Sequence, residues 1–116
     1  MNYSIKTIEA FERAAKRLRK KYVSFKQDYI RLLDELKDNP RAGTDLGGGV
    51  RKVRMAIGSK NRGKSHGARV ITFTYTVDEE SGVIALLFIY DKEERDSISR
   101  TEIDALVAQA QADAQQ

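Results

Sequence analysis

The chain has 116 residues, 41% hydrophobic and 33% charged, with no cysteine, no tryptophan, one proline and a formal net charge of +4. That length supports a single domain over residues 1 to 116, and the missing cysteines exclude a disulfide scaffold and a thiolate metal site. The longest apolar run, Val83 to Tyr90, falls far short of the roughly 20 residues that span a bilayer, so no membrane partner is expected. Ser4 and Lys6 stand where an export signal requires an apolar core, and export is not expected either.

Residues 2 to 6 alternate weakly and read as a short opening strand. With Thr7 as its N-cap, a first helix follows in which Ile8, Phe11, Ala15 and Leu18 recur at helical spacing, with Arg13, Lys16, Arg17, Arg19 and Lys20 opposite. Ser24 and Gln27 have the spacing of a capping box, and Phe25, Tyr29, Leu32, Leu33 and Leu36 form the stripe of a second helix, stopped at Asn39-Pro40. The short connection between the two predicts an antiparallel helical hairpin.

The glycine-rich middle of the chain is followed by apolar runs that read as strands. In Val50 to Ile57, burial of Val53, Met55 and Ile57 projects Lys52 and Arg54 from the opposite face, about 7 Å apart. Arg69 to Val77 puts Ile71, Phe73, Tyr75 and Val77 on one face. Arg69 has the same parity, so it is expected at the rim of the sheet or on a bulge. Val83 to Asp91 is apolar on both faces and reads as an interior strand, joined to its predecessor by a turn at Asp78 to Gly82. Ser99, Thr101 or both start a last helix with Ile103, Leu106, Val107 and Ala110 inward, and residues 113 to 116 are expected to fray. The predicted fold is α+β, in the order β-α-α-β-β-β-α: an antiparallel sheet with the helical hairpin on one face and a C-terminal helix.

The modest net charge conceals a strong segregation. Residues 1 to 38 carry ten bases and six acids, residues 39 to 69 eight bases and one acid, and residues 70 to 116 three bases and ten acids. The middle block, at +7 over 31 residues, is the footprint of a phosphate-binding surface, because Asp45 is the only acid near its bases. Arg51, Lys52, Arg54, Lys64 and Arg69 are the cations that adjacent strands can bring to one phosphodiester. Gly63-Lys64-Ser65 superficially resembles the end of a nucleotide-binding P-loop. A P-loop opens a helix, however, and Val70 to Val77 reads as strand, so a triphosphate site is rejected. His66 is the only histidine and has no second His or Cys beside it, so no metal or other cofactor is expected.

Three segments in register carry a family resemblance: Leu46-Gly-Gly-Gly-Val-Arg-Lys-Val-Arg54, Gly63-Lys-Ser-His-Gly-Ala-Arg-Val-Ile71 and Leu86-Leu-Phe-Ile-Tyr-Asp-Lys-Glu-Glu94. With the helical hairpin they resemble toxins of the RelE/ParE superfamily, specifically the RelE and HigB-like toxins of bacterial toxin-antitoxin modules. The resemblance implies a RelE-like fold, a bacterial cytoplasmic location, and a metal-independent endoribonuclease that enters the ribosomal A site and cuts translated mRNA. It also implies a cognate antitoxin, expected to be a helix-turn-helix DNA-binding protein. Its two basic residues on the strand after the hairpin fall on Lys52 and Arg54, and the arginine opening the next strand falls on Arg69. A further arginine after the last strand falls at about Glu93, and the terminal tyrosine has no counterpart near Ile98, so Tyr90 or Lys92 is expected to serve instead. The expected catalytic set is Lys52, Arg54, Lys64, Arg69, Tyr90 and Lys92. Lys52 or Lys64 is the candidate base, with His66 after them. Arg51, Lys60, Arg62, His66, Arg17 and Lys20 are the expected substrate-binding residues. The alternatives are a ParE-like inhibitor of DNA gyrase and a non-catalytic RNA- or partner-binding module.

Overall fold

A computed structural model describes residues 1–116 as ten elements in the order β1 (Asn2–Thr7), α1 (Glu9–Lys21), α2 (Phe25–Asp38), β2 (Thr44–Gly47), β3 (Val50–Met55), the 3-10 turns Gly58–Lys60 and Lys64–His66, β4 (Ala68–Thr76), β5 (Ser81–Asp91) and α3 (Arg100–Ala114). The five strands form one sheet in the order β1-β5-β4-β3-β2. The α+β class and the predicted element order hold, and no helix is long and apolar enough to cross a membrane. Two details differ from the expectation. The sheet is mixed, because the chain returns through the helices and the meander to lay β5 beside β1 in the same direction. A short extra strand, β2, pairs with β3; Leu46, half-buried against the core, is its one apolar residue, so there is no alternation and only backbone pairing reveals it.

Both helices of the hairpin bury the stripes that periodicity marks. In α1, Phe11, Ala15 and Leu18 are buried, with Glu9 and Glu12 in the first turn and Arg19, Lys20 and Lys21 in the last, the arrangement that the helix dipole favours. Thr7 is not the cap. It is the last residue of β1, paired with Leu86, and Ile8 holds the cap position without a side-chain bond. The predicted capping box of α2 is absent too. The Ser24 hydroxyl is committed elsewhere: it donates to Asp28 at 2.8 Å and accepts the Ser59 backbone N–H at 2.8 Å. In α3, Ser99 and Glu102 do form a reciprocal capping box.

The strands position the two faces of the sheet. Val53 and Met55 of β3 stand beside Val70 and Ala68 of β4, and these beside Ile89 and Asp91 of β5, on the face covered by α1 and α2. The other face carries Val50, Phe73 and Ala85, and there Phe73 and Tyr75 line a cavity with Gln111 and Ala114 of α3. The register between β4 and β5 shifts after Ile71, which opposes Phe88, while Thr72 opposes Leu86. Leu87 is therefore an extra residue, and Leu86 and Leu87 are both fully buried. At the β2–β3 turn Gly47, Gly48 and Gly49 all have positive φ (90°, 64° and 83°). A Cβ on Gly49 would stand 2.8 Å from the Thr74 carbonyl, so only glycine lets the turn approach β4.

Candidate functional site

On the α3 side of the sheet, cross-strand register aligns Arg54 of β3, Arg69 of β4 and Tyr90 of β5 in one row, with Lys52 two residues before Arg54 on the same face. Ile71 and Phe73 lie further along that face, which resolves the parity of Arg69. One face is apolar where α3 covers it and basic beyond the helix. Arg69 is neither at a rim nor on a bulge, and it is only 6% exposed.

The buried guanidinium is held by main-chain carbonyls instead of a carboxylate. Arg69 donates to the oxygens of Lys64 (3.1 Å), Ser65 (3.1 Å) and Ala68 (3.2 Å). Burial and the neighbouring Arg54 lower its pKa from the ordinary arginine value, but an arginine so placed stays charged. Tyr90 is 4% exposed, and its buried hydroxyl has no hydrogen-bond partner. Burial raises its pKa, against the opposing pull of Arg69 and Arg95, so the phenol keeps its proton at neutral pH. Arg95 lies over the rings of Phe88 (5.6 Å) and Tyr90 (6.0 Å), held by an ion pair to Glu102 and by donation to the Ser97 carbonyl at 2.8 Å. Nothing in local periodicity points to Arg95. The only signal is the arginine that the resemblance implies after the last strand, and Arg95 stands two residues beyond Glu93.

The other sequence-marked cations do not converge on this row. Lys60 is almost enclosed and pairs with the buried Asp91 at 2.6 Å; it also pairs with Glu93 and donates to the His66 carbonyl at 2.9 Å. Arg62 pairs with Glu93 at 3.4 Å. Lys64 turns toward α2 and pairs with Glu35 at 3.2 Å, and Lys92 pairs with Asp96 at 3.2 Å, so neither ammonium reaches Arg54 or Arg69 as expected of a catalytic group. Arg17 is bound to Glu94 at 2.7 Å. Lys20 and His66 are exposed and make no side-chain ion pair, and Arg51 points to the face opposite Lys52 and Arg54. The cations of the middle block thus split. Lys60, Arg62 and Lys64 find carboxylates, whereas Lys52, Arg54 and Arg69 have none within salt-bridge distance.

Gly58 to Ser65 does carry the letter spacing of a P-loop, with glycines at 58 and 63 followed by Lys64-Ser65. It folds as two 3-10 turns that lead into β4, with no helix to aim its dipole at a phosphate, so the match has no phosphate-binding geometry. No cluster of three His, Asp or Glu side chains is arranged to hold a metal ion. What the Arg54, Arg69, Tyr90 and Lys52 arrangement offers is a patch of uncompensated cations beside a protonated phenol, chemically suited to an anion whose charge increases during reaction.

Residues 5–115 match a family model described as the RelE toxin of the RelE/RelB toxin-antitoxin system. Among solved structures, the chain is similar to an arginine-to-alanine double mutant of the E. coli toxin RelE in the free state. The identity is 20% and the TM-score 0.52, over 83% of this chain and 90% of that one, a likeness of fold. No curated protein sequence matches significantly.

Proposed function

The chain belongs to the family of RelE toxins of toxin-antitoxin systems, and on that basis we propose that it is a metal-independent endoribonuclease that cuts mRNA on the ribosome and is held inactive by a cognate antitoxin in the bacterial cytoplasm. The observation that carries this reading is the row of Arg54 and Arg69 with Lys52 beside it, the cations of the basic middle block that no carboxylate neutralises on the α3 side of the sheet.

The reaction is attack of a ribose 2′-OH on its own 3′-phosphate. A bond forms from O2′ to phosphorus, the bond from phosphorus to O5′ of the next nucleotide breaks, and the products are a 2′,3′-cyclic phosphate and a free 5′-OH. Arg54 and Arg69 suit the charge that grows on the phosphoryl oxygens, because guanidinium matches phosphate geometry and remains charged. Lys52 is the remaining group for proton transfer on this face, since Lys64 is occupied by Glu35. Tyr90 keeps its proton, which suits a hydrogen-bond donor and not a base. Arg95, stacked on the Tyr90 ring, is a further candidate for the leaving-group side.

The test is to add purified protein to a translating extract and map mRNA 5′ ends. Cuts that depend on ribosomes and disappear in Arg54→Ala support the reading. Intact mRNA with inhibited DNA supercoiling, or intact mRNA alone, would overturn it in favour of a gyrase inhibitor or a binding module.

A further inference from the structure

The glycine-rich segment between β3 and β4 is tied to its surroundings at several points. Its first turn is fixed to α2: the Gly58 amide donates to the Asp28 carboxylate at 3.1 Å, and Ser59 and Ser24 exchange backbone-to-hydroxyl bonds at 2.8 and 2.9 Å. Its second turn, Lys64–His66, provides two of the three carbonyls that hold the Arg69 guanidinium. Lys60 closes the first turn, and its ammonium donates to the last carbonyl of the second turn, at His66, and to Asp91 at the end of β5. Asp91 is 1% exposed and also accepts from the Tyr22 hydroxyl and the Glu93 backbone N–H at 3.0 Å. The Tyr22 ring lies against Lys60, 5.4 Å from ammonium to ring centre.

We infer that Lys60 and Asp91 are positioning residues for Arg69, fixing the turn whose Lys64 and Ser65 carbonyls aim its guanidinium. The consequence for phosphate chemistry rests on the nuclease reading above, but the positioning itself does not. The geometry explains why a buried arginine has only neutral acceptors. A carboxylate against Arg69 would aim it equally well while cancelling the charge that an anion needs, whereas carbonyls aim it and leave the charge available. Such a device works only if the carbonyls stay in place. They lie in a turn of three residues with no core side chain of its own; Lys64 is held to Glu35 of α2 at one end, the Gly67 carbonyl accepts the Lys92 backbone N–H beyond the other, and Lys60 adds the hold on the His66 carbonyl, through a carboxylate too far down the chain to belong to the loop. Lys60 is in this way removed from the substrate-binding set and given a role beneath it.

The test uses the intact free protein, labelled with 15N-arginine. Rotation about the Arg69 Nε–Cζ bond is read from whether its Nη resonances are separate or averaged, a signature that a mere loss of global stability does not change. Separate resonances are expected in the wild type and averaged ones in Lys60→Met/Asp91→Leu, which removes the ion pair without leaving a lone buried charge. If that variant does not fold, Lys60→Gln, in which Tyr22 and Lys21 still face Asp91, gives the same comparison. Resonances that stay separate in the folded variant overturn the inference, whatever the protein does to RNA. Single-turnover cleavage on saturated ribosomes is expected to fall about tenfold or more, with binding within about twofold of wild type. A wild type that cleaves nothing overturns the nuclease reading and leaves the positioning result standing.

Discussion

Arg54 and Arg69 are register partners on adjacent antiparallel strands, two guanidinium groups on one face with no carboxylate bridging them. Like charges on neighbouring strands repel, and an anion between them would relieve that repulsion. The pair differs in burial, because Arg54 is exposed and Arg69 is 6% exposed.

That difference separates their substitutions. Arg54→Ala is expected to leave unfolding free energy within about 0.5 kcal/mol of wild type while slowing single-turnover cleavage about 100-fold. Arg69→Ala should also slow cleavage, but it removes the charged donor shared by the carbonyls of Lys64, Ser65 and Ala68 and should cost about 1–3 kcal/mol of stability. Urea denaturation and cleavage on the same preparations check both. Equal stability in the two variants would mean that the carbonyl cradle contributes nothing.

Acid should weaken the fold through Asp91. Burial pushes its carboxyl up, but the bonds from Lys60 and Tyr22 outweigh burial and hold its pKa below the usual value; bonds from Arg17 and Lys21 lower that of Glu94. A group depressed in the folded state binds protons more readily when unfolded. Its contribution is therefore complete above the unfolded carboxylate pKa of about 4 and is lost as pH falls through the folded value. Unfolding free energy measured from about pH 6 down to about pH 2 should decline in wild type and decline less steeply in Asp91→Asn. Identical slopes would show that Asp91 is not a principal acid-sensitive group.

On the outer surface of α1, Arg13 is paired with Glu9, and Arg17 and Lys21 with Glu94, which leaves Lys16, Arg19 and Lys20 without carboxylate partners. Neutralising these three should weaken ribosome association and flatten its salt dependence, by roughly 0.7 to 0.9 in slope for each phosphate no longer neutralised. The cleavage rate of the saturated complex should stay near wild type. A triple variant that binds normally but loses the chemical step would place the site on this helix instead.

The start of α3 depends on Ser99, whose hydroxyl accepts the Glu102 backbone N–H at 3.1 Å. Ser99→Ala should cost about 1 kcal/mol in urea denaturation. Glu102→Gln should cost less, since an amide oxygen still accepts from the Ser99 backbone, while it removes the charged partner of Arg95. If Glu102→Gln costs more than Ser99→Ala, the Arg95 ion pair, and not the cap, is what anchors this end of the helix.

Much of the fold is legible in the sequence because its causes are local. The stripe of Phe11, Ala15 and Leu18 and the alternation of Val53 and Met55 with Lys52 and Arg54 follow from helix and strand periods, which neighbouring residues set. The short β2 strand is not legible, since Thr44 to Gly47 offers one half-buried apolar residue, Leu46, and no alternation, and shows itself only in backbone pairing.

Amino-acid order alone marks the three helices, four of the five strands, their succession, and the placing of Lys52 and Arg54 on one face of a strand. Which cations remain free is settled in three dimensions. Along the chain, the basic middle block has almost no acids near it; folded, Lys60 meets Asp91, Arg62 meets Glu93 and Lys64 meets Glu35, each about 30 residues away in sequence. Periodicity depends on bond geometry between near neighbours, whereas ion pairing and burial depend on distance in space, which chain folding sets. The same distinction puts Arg69 inside, held by carbonyls, and lays Arg95 over Tyr90.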